Sequence, residues 1–266
     1  MPEPEAHTLL ERSVASIAPI TLEEMDGVKL LNRIDSKYLT NEATLVQVLA
    51  DAQRAGYRAL EAQGSKISPY YSIYFDTPGL RMFLDHHNAR LVRQKVRTRV
   101  YVNSGDAFLE IKRKNNHGRT KKKRTGIPLS EMEGFSADPA AAAYLEKHSA
   151  FTAGELSPAV STRFRRITLV NPERTERLTI DTELEFENFR TGRRASLGDA
   201  VVIELKQDGH AASRMKQILL GRRVKPVRIS KYCIAETLTD PTVKSNRFKV
   251  KVRAIEKTID NKIAIL

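Results

Sequence analysis

The chain has 266 residues, with 45 Lys and Arg against 32 Asp and Glu, a formal net charge of +13. So large an excess points to a polyanionic partner: nucleic acid, a phosphorylated metabolite, polyphosphate or an acidic membrane. The single cysteine, Cys233, excludes an intrachain disulfide and a multi-cysteine zinc site, and no apolar run reaches the roughly 18 residues that cross a bilayer.

The acidic N-terminal stretch MPEPEAHTLLERS lacks the basic-then-apolar pattern of a signal peptide, so a soluble cytoplasmic protein is expected. Residues 1–26 read as a peripheral arm or helix, with Leu9, Leu10, Val14 and Ile17 at helical spacing. Val28 to Thr40 reads as the first strand, Arg33, Asp35 and Lys37 on one face and Leu30, Ile34 and Tyr38 on the other. Asn41 is a suitable N-cap for a helix over Thr44–Ala55, which Gly56 ends. The aromatic run Ile67–Phe75 is β-prone, and Pro78 suits the first turn of a short helix reaching about Asn88.

Leu91 to Lys114 predicts a hairpin around Asn103-Ser104-Gly105-Asp106. Arg93, Lys95, Arg97 and Arg99 alternate with Val92, Val96 and Val100, and Glu110, Lys112 and Lys114 alternate with Leu109 and Ile111. Residues 115–122 have loop composition, 123–129 a short strand pattern, and Ser136–Ala150 a helical one. Further strands are predicted over Ala159–Val170 (Ser161, Arg163 and Arg165 on one face) and over Arg177–Phe186 (Arg177, Thr179, Asp181, Glu183 and Glu185). Ala200–Lys206 sets Glu204 and Lys206 on a common face. A helix over His210–Leu220, a short strand over Val224–Ile229 and a helix over Ser230–Leu238 follow, then a basic segment from Thr242 onward.

Six strands thus carry charge on one face and aliphatics on the other. Solvated outer faces explain any one of them, but not a set that mixes signs and accompanies several amphipathic helices needing an apolar sheet face. If those helices pack outside a closed antiparallel sheet, the charged faces point inward and line a wet tunnel, because unpaired buried charges cost too much otherwise. Guanidinium forks and ammonium groups there would hold phosphate oxygens, and carboxylates would hold Mg²⁺ or Mn²⁺.

From Arg33 to Leu238 the chain resembles the VTC domain, the polyphosphate polymerase domain of the vacuolar transporter chaperone complex, within the triphosphate tunnel metalloenzymes (CYTH-like superfamily). The matching segments are RIDSKYL at 33–39, YFDTP at 74–78, RQKVRTRVY at 93–101, FLEIKRK at 108–114, STRFRR at 161–166, RLTIDTEL at 177–184, VIELK at 202–206 and SKY at 230–232. The resemblance implies an α+β fold, with a closed eight-stranded antiparallel β tunnel, helices outside, and transfer of the ATP γ-phosphoryl group to a growing polyphosphate chain with Mn²⁺ or Mg²⁺. It divides the chain into an arm (1–26), a tunnel domain (27–240) and a basic C-terminal segment (241–266). Carried over by position, Lys37, Arg97, Arg99, Lys112, Arg163, Arg177 and Lys231 form the phosphate-binding set, and Glu204 is the metal ligand.

Lys114, Arg165, Lys206, Glu110, Asp181 and Glu183 are second-rank candidates, Glu183 either as a metal ligand or as the partner of a neighbouring cation. The superfamily often carries Glu-x-Glu-x-Lys at the first strand; here it is Arg33-Ile34-Asp35-Ser36-Lys37. One carboxylate fewer and one cation more favour chain binding or polymerisation over hydrolysis. The competing readings are a triphosphatase or polyphosphatase on the same fold, and a non-catalytic polyphosphate-binding module. Interleaved acids and few aromatics on the charged strands disfavour nucleic acid. The basic tail suits docking to a separate membrane protein or an acidic membrane surface. Lys121–Arg124 is either a solvated loop or a guide for a polyanion. His86 and His87 read as turn residues, and Tyr70, Tyr71 and Tyr74 as packing residues with a hydroxyl in reach of the interior.

Overall fold

A computed structural model describes residues 8–26, 33–209 and 212–266. The predicted strand start at Val28, with Leu30, and the helix start at His210 lie outside the described residues. The order of elements is α1 (Leu9–Ala15), β1 (Pro19–Ile20), α2 (Leu22–Asp26), β2 (Arg33–Asn41), α3 (Glu42–Arg54), β3 (Arg58–Leu60), β4 (Ile67–Asp76), α4 (Arg81–His87), β5 (Arg93–Tyr101), β6 (Asp106–Lys114) and β7 (Thr120–Ile127). Then come α5 (Pro139–His148), β8 (Ser157–Val170), β9 (Glu176–Asn188), β10 (Arg194–Ser196), β11 (Ala200–Asp208), α6 (Arg214–Gly221), α7 (Lys231–Thr239), α8 (Asn246–Ile259) and β12 (Ala264–Ile265).

The backbone of the fold is the antiparallel path β2-β11-β9-β8-β4-β5-β6-β7. Short strands extend it to a 12-stranded sheet: β10 and β12 beyond β9, and the parallel pair β1–β3 beside β8. The sheet is not closed, which corrects the expectation of an eight-stranded tunnel. Among the described residues β2 and β7 do not pair with each other. The free edge of β2 is instead taken by the segment before α7: the Val227 N–H donates to the Lys37 carbonyl at 2.7 Å, and Tyr38 bridges to Pro226. The short strand predicted at Val224–Ile229 is reduced to this bridge.

The apolar faces point outward and are covered by helices, as a half-buried sheet requires. Leu45, Val48 and Leu49 of α3, with Met215 and Leu219 of α6, pack on Ile167, Leu169, Leu178, Ile180 and Leu205. α5 covers Val96, Leu109 and Ile111 through Ala141 and Leu145. Each of these fully buried aliphatics contributes about 1.5–3 kcal/mol, and together they leave the opposite, charged faces to one shared interior. Local signals set the helix starts. The Asn41 side chain accepts from the Thr44 N–H at 2.9 Å, Asp138 caps α5 with Pro139 at its first position, and the Ser230 hydroxyl caps α7. The basic segment after Thr242 forms α8, whose Phe248 and Ile255 are buried against α7 and the sheet. Among the described residues no helix is long and apolar enough to cross a membrane.

Candidate functional site

The concave face of the sheet encloses a cavity of about 960 Å³. Alternation along β5 points Lys95, Arg97 and Arg99 into it, while Val96 and Val100 go to the core under α5. The neighbouring strands add side chains by the same rule: Lys112 from β6, Lys122 from β7, Arg166 from β8, Arg177 and Asp181 from β9, Glu204 and Lys206 from β11. Lys37 comes from β2 and Lys231 from the first turn of α7. Among the described residues the cavity is lined by eleven Lys and Arg against five Asp and Glu, an excess of six positive charges. Part of the wall is apolar, formed by Leu184, Phe186, Val202 and Ile234.

Three carboxylates organise the cations. Glu110 accepts from Arg97 Nε at 2.7 Å and pairs with Lys122. Asp181 accepts two bonds from Arg166, at 2.6 and 2.8 Å, and one from Lys231. Glu204 lies 3.9 Å from Lys37 and 3.5 Å from Lys206. Burial raises all three carboxyls, but the facing cations outweigh it and hold them well below the usual range: Arg97, Arg99 and Lys122 for Glu110, Arg166 and Lys231 for Asp181, and Lys37, Lys206 and Lys112 for Glu204. All three are therefore ionised at neutral pH. The lysines feel the converse. Arg97 and then burial push Lys112 well below its ordinary value, and burial lowers Lys95, Lys206 and Lys231. The cavity repels its own cations, as a site that receives a polyanion does in the absence of that anion.

Of the residues predicted from sequence, Lys37, Arg97, Arg99, Lys112, Arg177, Lys206, Lys231 and Glu204 meet in this cavity. Arg163, Arg165, Glu183 and Lys114 are not part of its lining. On β8 the inward side chains are Phe164, Arg166 and Thr168. Arg163 and Arg165 share the outward face with Ile167 and Leu169. Arg163 is exposed, its guanidinium 4.9 Å from the Tyr71 ring, and Arg165 pairs with Glu183 at 3.0 Å and Glu11 at 2.8 Å. On β9 the alternation holds for Arg177, Thr179 and Asp181 and then slips. Arg163 pairs with Glu185 but Arg165 with Thr182, so Phe164 faces two residues, and Glu183 has a positive φ of 51°. Past that bulge Leu184 and Phe186 face inward and Glu183 turns to solvent, so Glu183 is the partner of a cation and not a ligand in the cavity. Lys114, opposite Arg93 and Thr120 in the register, does not itself line the cavity.

Sequence reasoning undervalued Arg166, which sits beside Arg165 in STRFRR, and the strand of Lys122. On β7 the strand period points Thr120, Lys122 and Arg124 at the cavity, whereas Lys121 and Lys123 are not part of its lining; four basic residues in succession carry no alternation that could have shown this. Two further groups complete the interior. Tyr74 Oη accepts from Arg97 Nη1 at 3.0 Å, and Lys95 Nζ donates to the Ser230 hydroxyl at 2.6 Å.

No group of three or more His, Cys, Asp or Glu side chains suited to a metal ion occurs among the described residues. Glu204 offers a single carboxylate whose near partners are ammonium groups at 3.5 and 3.9 Å. That donor set does not fit a cage made by protein alone. It does fit a divalent ion that arrives with most of its oxygen ligands supplied by phosphates.

A family model described as the VTC domain matches residues 32–239. No curated protein matches the chain. Among solved structures, a protein from Hippeastrum, provisionally named an adenylyl cyclase and described as having a dominant triphosphatase activity, aligns at 16% identity and a TM-score of 0.50, over 77% of this chain and 95% of that one. A provisionally named adenylate cyclase from Vibrio parahaemolyticus aligns at 11% identity and a TM-score of 0.46, over 77% and 99% of the two chains. A protein from Pyrococcus horikoshii aligns at 12% and 0.44, over 77% and 97%. At these identities the likeness concerns the fold.

Proposed function

Because the chain belongs to the VTC domain family, we propose that it acts on polyphosphate, transferring the γ-phosphoryl group of ATP to a growing chain held in the charged cavity. The observation that carries this reading is the surplus of six cationic side chains on the walls of one cavity. Phosphoryl transfer asks a protein mainly for in-line positioning and for neutralisation of phosphate oxygens. In this reading Arg97, Arg99, Arg166 and Arg177 present guanidinium groups to successive phosphates. Lys37, Lys112, Lys206 and Lys231 add mobile point charges. Glu110 and Asp181 are positioning residues that keep Arg97 and Arg166 aimed inward between turnovers. Glu204 is the residue that would hold Mn²⁺ or Mg²⁺, and a bound ion supplies further neutralisation of the triphosphate.

The test incubates the purified chain with ATP and Mn²⁺, then Mg²⁺, resolves products on a gel and follows free phosphate. Long polyphosphate with ADP is the expected outcome, and Glu204→Ala is expected to lose this turnover while still binding polyphosphate. Free phosphate without polymer would replace the polymerase with a triphosphatase. Tight polyphosphate binding with neither product would leave a binding module.

A further inference from the structure

A cavity lined with cations selects phosphates but says nothing about what the phosphates are attached to. Its mouth at the tip of the β5–β6 hairpin has a different chemistry from its walls. Along β5 the inward side chains run Arg97, Arg99, Tyr101, and β6 sets Phe108 opposite Arg99. Within one register step the lining changes from guanidinium to aromatic. The Tyr101 and Phe108 rings lie 5.5 Å apart, tilted by 50°. The Arg124 guanidinium sits 4.7 Å from the Phe108 ring and donates to Tyr101 Oη at 3.4 Å.

Both rings are only half-buried, and neither belongs to the hydrophobic clusters of the fold. Tyr70, 5.1 Å from Tyr101, by contrast packs against the core. Two half-buried aromatics at the rim of a basic cavity, outside the apolar clusters, contribute little to folding. They do offer ring faces for stacking with an adjacent guanidinium, groups of the kind that bind nucleobases.

We infer that Tyr101, Phe108 and Arg124 form a platform for a nucleoside base, so that a nucleoside triphosphate enters with its base at the hairpin tip and its phosphates directed inward. This rests on the reading of the cavity as a phosphate site. Successive inward positions of a strand are about 7 Å apart, so phosphates extending from a base held here pass Arg99 and then Arg97.

The experiment titrates the full chain by calorimetry, with Mg²⁺ present, against a non-hydrolysable ATP analogue and separately against inorganic tripolyphosphate. Phe108→Leu keeps apolar bulk and removes the π face. It is expected to weaken the ATP analogue about tenfold and leave tripolyphosphate within about twofold. Phe108→Tyr, which keeps the ring, is expected to retain affinity for both. Equal loss of both ligands in Phe108→Leu, or loss of neither, overturns the platform. So does wild-type protein that binds tripolyphosphate but not the ATP analogue, while leaving the phosphate site standing. Wild-type protein that binds neither ends the phosphate reading, and the platform with it.

Discussion

Tyr74 shows how one residue is remade by its setting. Its ring stacks on Tyr232 at 5.3 Å, and its hydroxyl is bonded to Arg97. Burial alone would raise the phenol, but Arg97, Lys95, Arg99 and Lys231 outweigh it and bring it down to about 8. A depressed acid of this kind adds stability as pH rises from its folded value toward 10, and that contribution is lost as pH falls through about 8. For ligand binding the sign is opposite, since ionisation places a negative charge among the groups that hold phosphate. Between pH 7 and 9 the wild type is expected to lose tripolyphosphate affinity by roughly tenfold more than Tyr74→Phe does, one ionisation at close range being worth about that factor. Binding measured at the two pH values checks this; identical losses in both proteins would remove Tyr74 from the account.

At the scale of the element, the strands differ in how well their alternation reports their faces. β5, β6 and β11 are regular, with Val96 and Val100, Leu109 and Ile111, and Ile203 and Leu205 at alternate positions, and the cations assigned from them to the interior line the cavity as far as Lys112. β8 carries Arg163, Arg165 and Arg166 on both parities. Charge therefore cannot say which face is inside; Ile167 and Leu169, which lie under α3, decide it. β9 contains one extra residue at Glu183, and that bulge inverts every later position. The contrast is testable. Arg166→Ala is expected to weaken tripolyphosphate binding about tenfold or more, the loss of a charge-assisted contact, whereas Arg163→Ala retains wild-type affinity. Calorimetric titration of both variants decides it, and the reverse order would place β8 the other way round.

Across the whole molecule, a net charge of +13 is concentrated where it does most work, with six surplus charges inside one cavity. Mutual repulsion there destabilises the ligand-free state. A polyanion that binds only the folded form reverses this: at a hundredfold excess over its dissociation constant it adds about 2.7 kcal/mol, roughly 5–10 °C in Tm for a chain of this size. Thermal scans with and without tripolyphosphate are expected to show this rise, and half-molar salt to reduce it by screening. A Tm indifferent to tripolyphosphate would mean that the cavity does not take a phosphate chain.

The amphipathic strands, the helix caps at Asn41 and Ser230 and the excess of cations are written in local sequence, because side-chain period and cap chemistry act over a few residues. Together with the family resemblance, which supplied the positions, they pointed to Lys37, Arg97, Arg99, Lys112, Arg177, Lys206, Lys231 and Glu204, and these residues line the cavity. The bulge at Glu183, the choice of Arg166 over Arg165 and the open edge between β2 and β7 were settled only by tertiary structure. Each depends on what a distant segment does: a partner strand one residue longer, helices that cover one half of β8, and residues 226–227 occupying the edge that closure would have used. The period of a strand is local, whereas its phase relative to the core is set by whatever packs against it.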